Sequence, residues 1–246
     1  SALTSDGELQ PMTSNATTMI GADQLNATGF TGKGMKVAIL DTGIVVDHPN
    51  FGALSEDKLT ESSLTKEGVD AIWNTLNAGQ MTSLRNRSYY NSKLPFIFNY
   101  YTRDFDVSHA TAKHDHGTHV AGITAANKIE GSSVIGVAPD AQIIVMKVFG
   151  ATRAGVSDDI VAALEDAMTL GCDVANLSLG STAGFTSSDT ELDLIYERIA
   201  SQDIIVAIAA GNDGTSSANN LWGTNKNPTA HPDNAVIGSP AIYSTA

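Results

Sequence analysis

Short, unbroken apolar runs alternate with segments of helical period through most of this chain. Lys36-Val37-Ala38-Ile39-Leu40 is one such run, and it stops at Asp41-Thr42-Gly43. The pattern predicts a buried parallel strand ending in a turn. Ile143 to Val148 and Asp173 to Leu177 are further strands, Ile204 to Ala210 is another buried one, and Ala235 to Gly238 is one more. Helices are predicted between them. Ser157 caps one, with Asp158 and Asp159 in its first turn, Ile160, Leu164 and Met168 at four-residue spacing, and Gly171 just past its end. Ser188-x-x-Glu191 is a capping box that opens another, with Leu192, Ile195 and Ile199 on one face. Strand, helix, strand, helix, strand is the pattern of an α/β fold, a mostly parallel sheet covered by helices.

Two stretches are less regular. Residues 1–35 are polar, with a short helix predicted near Met19 to Leu25, and 51–109 read as a long excursion with local helices such as Val69 to Leu76. At 246 residues the chain can bury one sizeable core. A net charge of −13 argues against nucleic acid or an anionic membrane as a partner. No apolar run approaches the roughly 18 residues of a membrane span, so no direct membrane insertion is expected. Cys172 is the lone cysteine. It leaves no disulfide framework and no cysteine zinc site, and its apolar flanks mark a core residue. Ser1 in place of an initiator Met reads as an end left by processing or cloning.

The chemistry gathers at strand ends and around His116-Gly117-Thr118-His119-Val120-Ala121-Gly122, which leads into a small-residue run suited to a buried helix. His116 at a helix N-terminus could serve as a general base, because the helix dipole disfavours its imidazolium. His114, His116 and His119 could instead ligate a metal. Asp41 stands where open α/β sheets place their sites, although an aspartate there can also simply cap a turn. Ser178-Leu179-Gly180 and Ala210-Gly211-Asn212 follow two further strands, and their small residues would let a bound backbone lie close.

Taken in order, Asp41-Thr42-Gly43, the His116 motif, Asn176-Leu177-Ser178-Leu179-Gly180 and Ala210-Gly211-Asn212 resemble the motifs of the subtilisin-like serine peptidases. Tyr90-Asn91-Ser92-Lys93-Leu94-Pro95 with Phe98-Asn99-Tyr100, together with the long excursion, is similar to bacterial cell-envelope proteinases and streptococcal C5a peptidases. The resemblance implies a three-layer subtilisin-like fold. It implies that Asp41 orients His116, that His116 is the general base and then acid, and that Asn212 supplies the oxyanion amide. Ser178, Leu179 and Gly180, with Ala210 and Gly211, would line the substrate cleft, and His119 would be structural. Protein and peptide substrates follow, in a secreted or cell-surface bacterial enzyme. Catalysis needs no cofactor. Structural calcium is common in such relatives, but the metal ligands here are unknown, with Asp47 and Asn50 no more than guesses.

One departure qualifies this. The family's serine should stand in a Gly-Thr-Ser-x-Ala turn opening an apolar helix, well beyond Asn212. Gly214-Thr215-Ser216-Ser217-Ala218 has those letters, but runs on into Asn219-Asn220-Leu221-Trp222-Gly223, which is no apolar helix. The expectation is therefore that residues 1–246 are the N-terminal part of the peptidase domain, ending near a protease-associated insertion. The serine would lie on a second segment or chain of the same precursor. Three rivals remain. A metallohydrolase would use the histidines, although Thr118 stands where its aspartate should be. An aspartic peptidase would need a second copy of Asp41-Thr42-Gly43. A catalytically inactive binding module of the same fold would have no use for Asp41, His116 and Asn212 together.

Overall fold

The computed structural model describes residues 2–3, 9–10, 12–109, 115–132, 134–150, 157–180, 190–211 and 237–242. Its elements begin with β1 (Ala2–Leu3), β2 (Leu9–Gln10), α1 (Met12–Met19), α2 (Ala22–Ala27) and β3 (Lys36–Asp41). The excursion carries α3 (Lys66–Ile72), α4 (Asn77–Met81) and β4 (Phe96–Asn99). Then come α5 (His116–Ala125), β5 (Gln142–Lys147), α6 (Ser157–Thr169), β6 (Val174–Leu177), α7 (Thr190–Ala200) and β7 (Ile205–Ile208).

Five strands form one parallel sheet in the order β4-β5-β3-β6-β7. Side chains alternate across it with period two. Ala38, Leu40, Ile144, Met146, Phe96 and Phe98 enter one core, shared with α4, α6 and α7. Val37, Ile39, Ile143, Val145 and Ile97 enter the other, shared with Ala121 and Ala125 of α5. The sheet is thus covered on both faces, the three-layer α/β arrangement that the resemblance implies. Continued by one step, the Val37-Ile39 parity carries Asp41 to the α5 face.

Several expectations needed adjustment. The predicted helix near Met19 to Leu25 is split between α1 and α2, because Gly21 takes a left-handed backbone with φ 74°. β4 was read as part of a helical excursion; a four-residue strand right after Pro95 is too short to display a period. Ile204 to Ala210 is not a buried strand among the described residues. β7 is half-exposed, with Ile205 67% accessible. Residues 235–236 and the capping Ser188 lie outside the described residues, and Gly238 donates to the Ala210 carbonyl at 2.9 Å rather than extending a strand. Gly171 ends α6 with φ 68°, and Cys172 is buried, its thiol pushed up to about 12 by that burial.

The excursion is fastened to the helical layer by a buried carboxylate. Asp166 of α6 accepts the Asn77 and Ala78 backbone N–H groups at 2.7 and 2.8 Å, and the Tyr100 hydroxyl at 2.8 Å. Burial raises the pKa of both Asp166 and Tyr100. On the other face the fully buried Lys93 donates to the Pro139 and Ala141 carbonyls, both at 2.7 Å, at the entry to β5.

Burial lowers the Lys93 pKa to about 7, with Asp140 partly offsetting. In the unfolded chain the group keeps an ordinary value of about 10.4. Between those values unfolding takes up a proton here, so this site makes stability rise with pH, by at most about 1.4 kcal/mol per unit. Below the folded value the ammonium is charged in both states and its full burial cost applies. Urea unfolding of wild type and Lys93→Met at about pH 7 and about pH 10 checks this. Wild type should gain on Lys93→Met as the pH rises; a constant difference would refute it.

Candidate active site

Every side chain of β3 is buried, and its last, Asp41, is 2% exposed. Such a carboxylate must find donors. Asp41 Oδ1 accepts the Thr42 N–H at 2.7 Å. His116 Nδ1 lies 2.8 Å from Oδ1 and 3.0 Å from Oδ2. His116 is the first residue of α5, and its ring is 56% exposed. With Nδ1 held by a carboxylate, Nε2 is the nitrogen left for proton transfer.

Close approach of helix and turn makes the contact. A Cβ on Gly117 would lie 2.2 Å from the Gly43 carbonyl oxygen and 3.0 Å from Asp41 Oδ1. Gly43 has φ 105°, and a Cβ there would lie 2.1 Å from the Val107 oxygen. Both glycines are therefore required where they stand. The Gly117 N–H donates to Thr42 Oγ1 at 3.0 Å, and the Val45 N–H to Thr118 Oγ1 at 2.9 Å. Thr42 and Thr118, to which the sequence reading gave no role at the site, stitch the helix start to the turn. The hydroxyl-bearing residue in each motif was the signal.

Ser178-Leu179-Gly180 and Ala209-Ala210-Gly211 leave β6 and β7 at the same carboxyl edge. Ser178 Oγ accepts from Asn176 Nδ2 at 2.9 Å, and the Ala209 N–H donates to the Leu177 carbonyl at 3.1 Å. Leu179 packs its side chain into the core, so only its backbone is available to a ligand. Gly180 is exposed, and Gly211 has φ 105°. Asn212, His114 and Ser216 lie outside the described residues.

His119, expected to be structural, is exposed; the buried face of α5 is Gly117, Ala121 and Ala125. No group of three or more histidine, cysteine or acidic side chains that could hold a metal occurs among the described residues. Asp47 accepts the Tyr90 hydroxyl, and Asn50 is buried with its amide donated to the Asn127 carbonyl at 2.7 Å.

Comparison with known proteins decides the family. The model of the subtilase family, peptidase S8, matches residues 32–246. The chain belongs to the subtilase family. It is 38% identical over 218 residues to the PIII-type proteinase of Lactococcus lactis subsp. cremoris, covering 86% of this chain and 10% of that protein. It is 30% identical to the minor extracellular protease Vpr of Bacillus subtilis, covering 85% of this chain and 22% of that protein. With subtilisin E of the same species it is 30% identical over 89% of this chain and 44% of the subtilisin. The chain thus spans about a tenth of the lactococcal relative and under half of subtilisin E. Among solved structures, the protease domain of PatA, studied as a serine-to-alanine mutant, aligns with TM-score 0.52 at 20% identity, over 88% of this chain and 57% of that one. That likeness speaks to the fold of this subtilase.

A paired substitution tests the close approach. Gly117→Ala places a methyl against backbone, and overpacking of this kind costs about 1–3 kcal/mol. Each kcal/mol is about 2–4 °C of Tm at this size. Gly122→Ala, in the same helix but with nothing within 4 Å of the new Cβ, should leave Tm unchanged or raise it slightly. Equal Tm values for the two variants would refute the packing described.

Proposed function

We propose that this chain carries the Asp–His half of a serine endopeptidase site, with Asp41 and His116 as two triad members. The observation behind this is the 2.8 Å contact between a buried carboxylate and a half-exposed imidazole at the carboxyl edge of the sheet. His116 Nε2 takes the proton of an incoming serine hydroxyl as the oxygen attacks the peptide carbonyl. It then delivers that proton to the leaving amine. Asp41 holds the ring so that Nε2 faces the reaction, and its charge stabilises the imidazolium. Asn212 would donate its side-chain N–H to the oxyanion, and Ser178 to Gly180 would pair with the substrate backbone as an added strand. No cofactor enters these steps.

The nucleophile, on this reading, stands on a second segment or chain of the same precursor in a Gly-Thr-Ser-x-Ala turn. Supporting it, Ile205, Leu194 and Ile237 are 67%, 63% and 51% exposed along the β7 side of the sheet. A surface of that kind fits a further layer of the peptidase. The extracellular relative supports a secreted or cell-surface location.

Intact-mass analysis and N-terminal sequencing of the active material should find a tightly held segment with that serine, and a serine-directed phosphonate should label it. Activity that follows zinc content, or a folded and monomeric chain that no phosphonate labels, would overturn the reading. Asn212→Ala should lower kcat about 10²–10³-fold with KM nearly unchanged, a size carried over from subtilisin, a relative of this chain. A strong rise in KM at constant kcat would make Asn212 a ground-state contact instead.

A further inference from the structure

Lys147, the last residue of β5, pairs in register with Asp41 at the end of β3. The alternation that sends Ile143 and Val145 to the α5 face carries it there too. It is 6% exposed. Its ammonium donates to the Thr42 carbonyl and, at 2.8 Å, to the Ser108 carbonyl. The first bond closes a frame around Thr42. That residue's N–H donates to Asp41 Oδ1, its hydroxyl accepts the Gly117 N–H at the start of α5, and its carbonyl is held by Lys147. The second bond ties the same ammonium to the loop after β4. That loop is ordered by Asn99, whose side-chain amide donates to the Asp106 carbonyl at 2.7 Å, and it meets the turn again where the Ile44 N–H donates to the Val107 carbonyl at 2.8 Å.

We propose that Lys147 is a positioning residue for the Asp41–His116 pair, acting through Thr42, and that its positive charge is part of that role. The proposal rests on Asp41 and His116 being the functional pair. A methionine would fill the same volume without the cost of burying an ammonium, so packing alone gives no reason for a lysine here. Burial lowers the Lys147 pKa, and the charges of Asp106, Asp104 and Asp41 work against that lowering. One of those charges is that of the histidine's partner. A Cβ on Gly43 would lie 3.1 Å from Nζ, so the turn is moulded against this group.

The ¹⁵N shifts of the His116 ring, assigned by their loss in His116→Gln, report which ring nitrogen carries the proton, and they need no proteolysis. Wild type should hold the proton on Nδ1, facing Asp41. Lys147→Met and Lys147→Gln should stay folded by circular dichroism and change the tautomer ratio about twofold or more. Lys147→Arg, which keeps charge and donors, should preserve the wild-type ratio. A folded neutral variant with the wild-type ratio would overturn the proposal. So would an arginine variant as disturbed as the methionine one, or failure of both neutral variants to fold, which would make Lys147 purely structural. A chain that gives the expected shifts but proves to have no part in proteolysis would leave this inference standing and sink only the proposed function.

Discussion

Removing a carboxylate from water is costly unless its oxygens are met by donors, and Asp41 sets that condition for the whole edge of this sheet. Its donors come from two directions, the next peptide in its own turn and the first imidazole of α5. Meeting both constrains the neighbours closely. The helix has to begin at His116, position 117 can carry no side chain, and the turn must pass through a conformation open to glycine at position 43. The sheet's alternation must also deliver Asp41 to the helix-bearing face, which the two separate cores fix along the whole length of β3. The dyad is therefore a product of the packing beneath it.

Much of this was legible in the residues. β3 and β5 are built on continuous apolar runs, so both their existence and their burial could be read, whereas β6, interrupted by Asn176, was legible as a strand but is buried only at Ala175 and Leu177. α6 announced itself by acidic residues in its first turn and a glycine after its last. What escaped has physical causes. β4 is four residues long, and a period needs more than that to appear. Ile204 to Ala210 is as apolar as the buried strands, but β7 has a single strand neighbour among the described residues, and strand position is a property of topology, not of composition. α5 buries its 117-121-125 stripe, so His119, one turn along from His116, faces solvent.

Family membership and local geometry carry different weights here. The match to the subtilase family extends over 32–246, whereas the likeness to PatA at 20% identity concerns the fold alone. The particular contacts that bring Asp41 and His116 together are visible only in the side chains, in the hydroxyls of Thr42 and Thr118 and the absence of side chains at 43 and 117. Small and hydroxylated residues are what a sequence reading most easily treats as filler.

The carboxylate of Asp166 has a consequence for how far the chain can be altered. It lies inside α6 but receives its donors from Asn77, Ala78 and Tyr100, all in the stretch between β3 and α5. A shortened version of that stretch would leave a negative group sealed in the core with nothing to meet it, whatever the new loop looked like on the surface. Any trimming there must therefore be matched by an apolar replacement nearly ninety positions downstream, at residue 166.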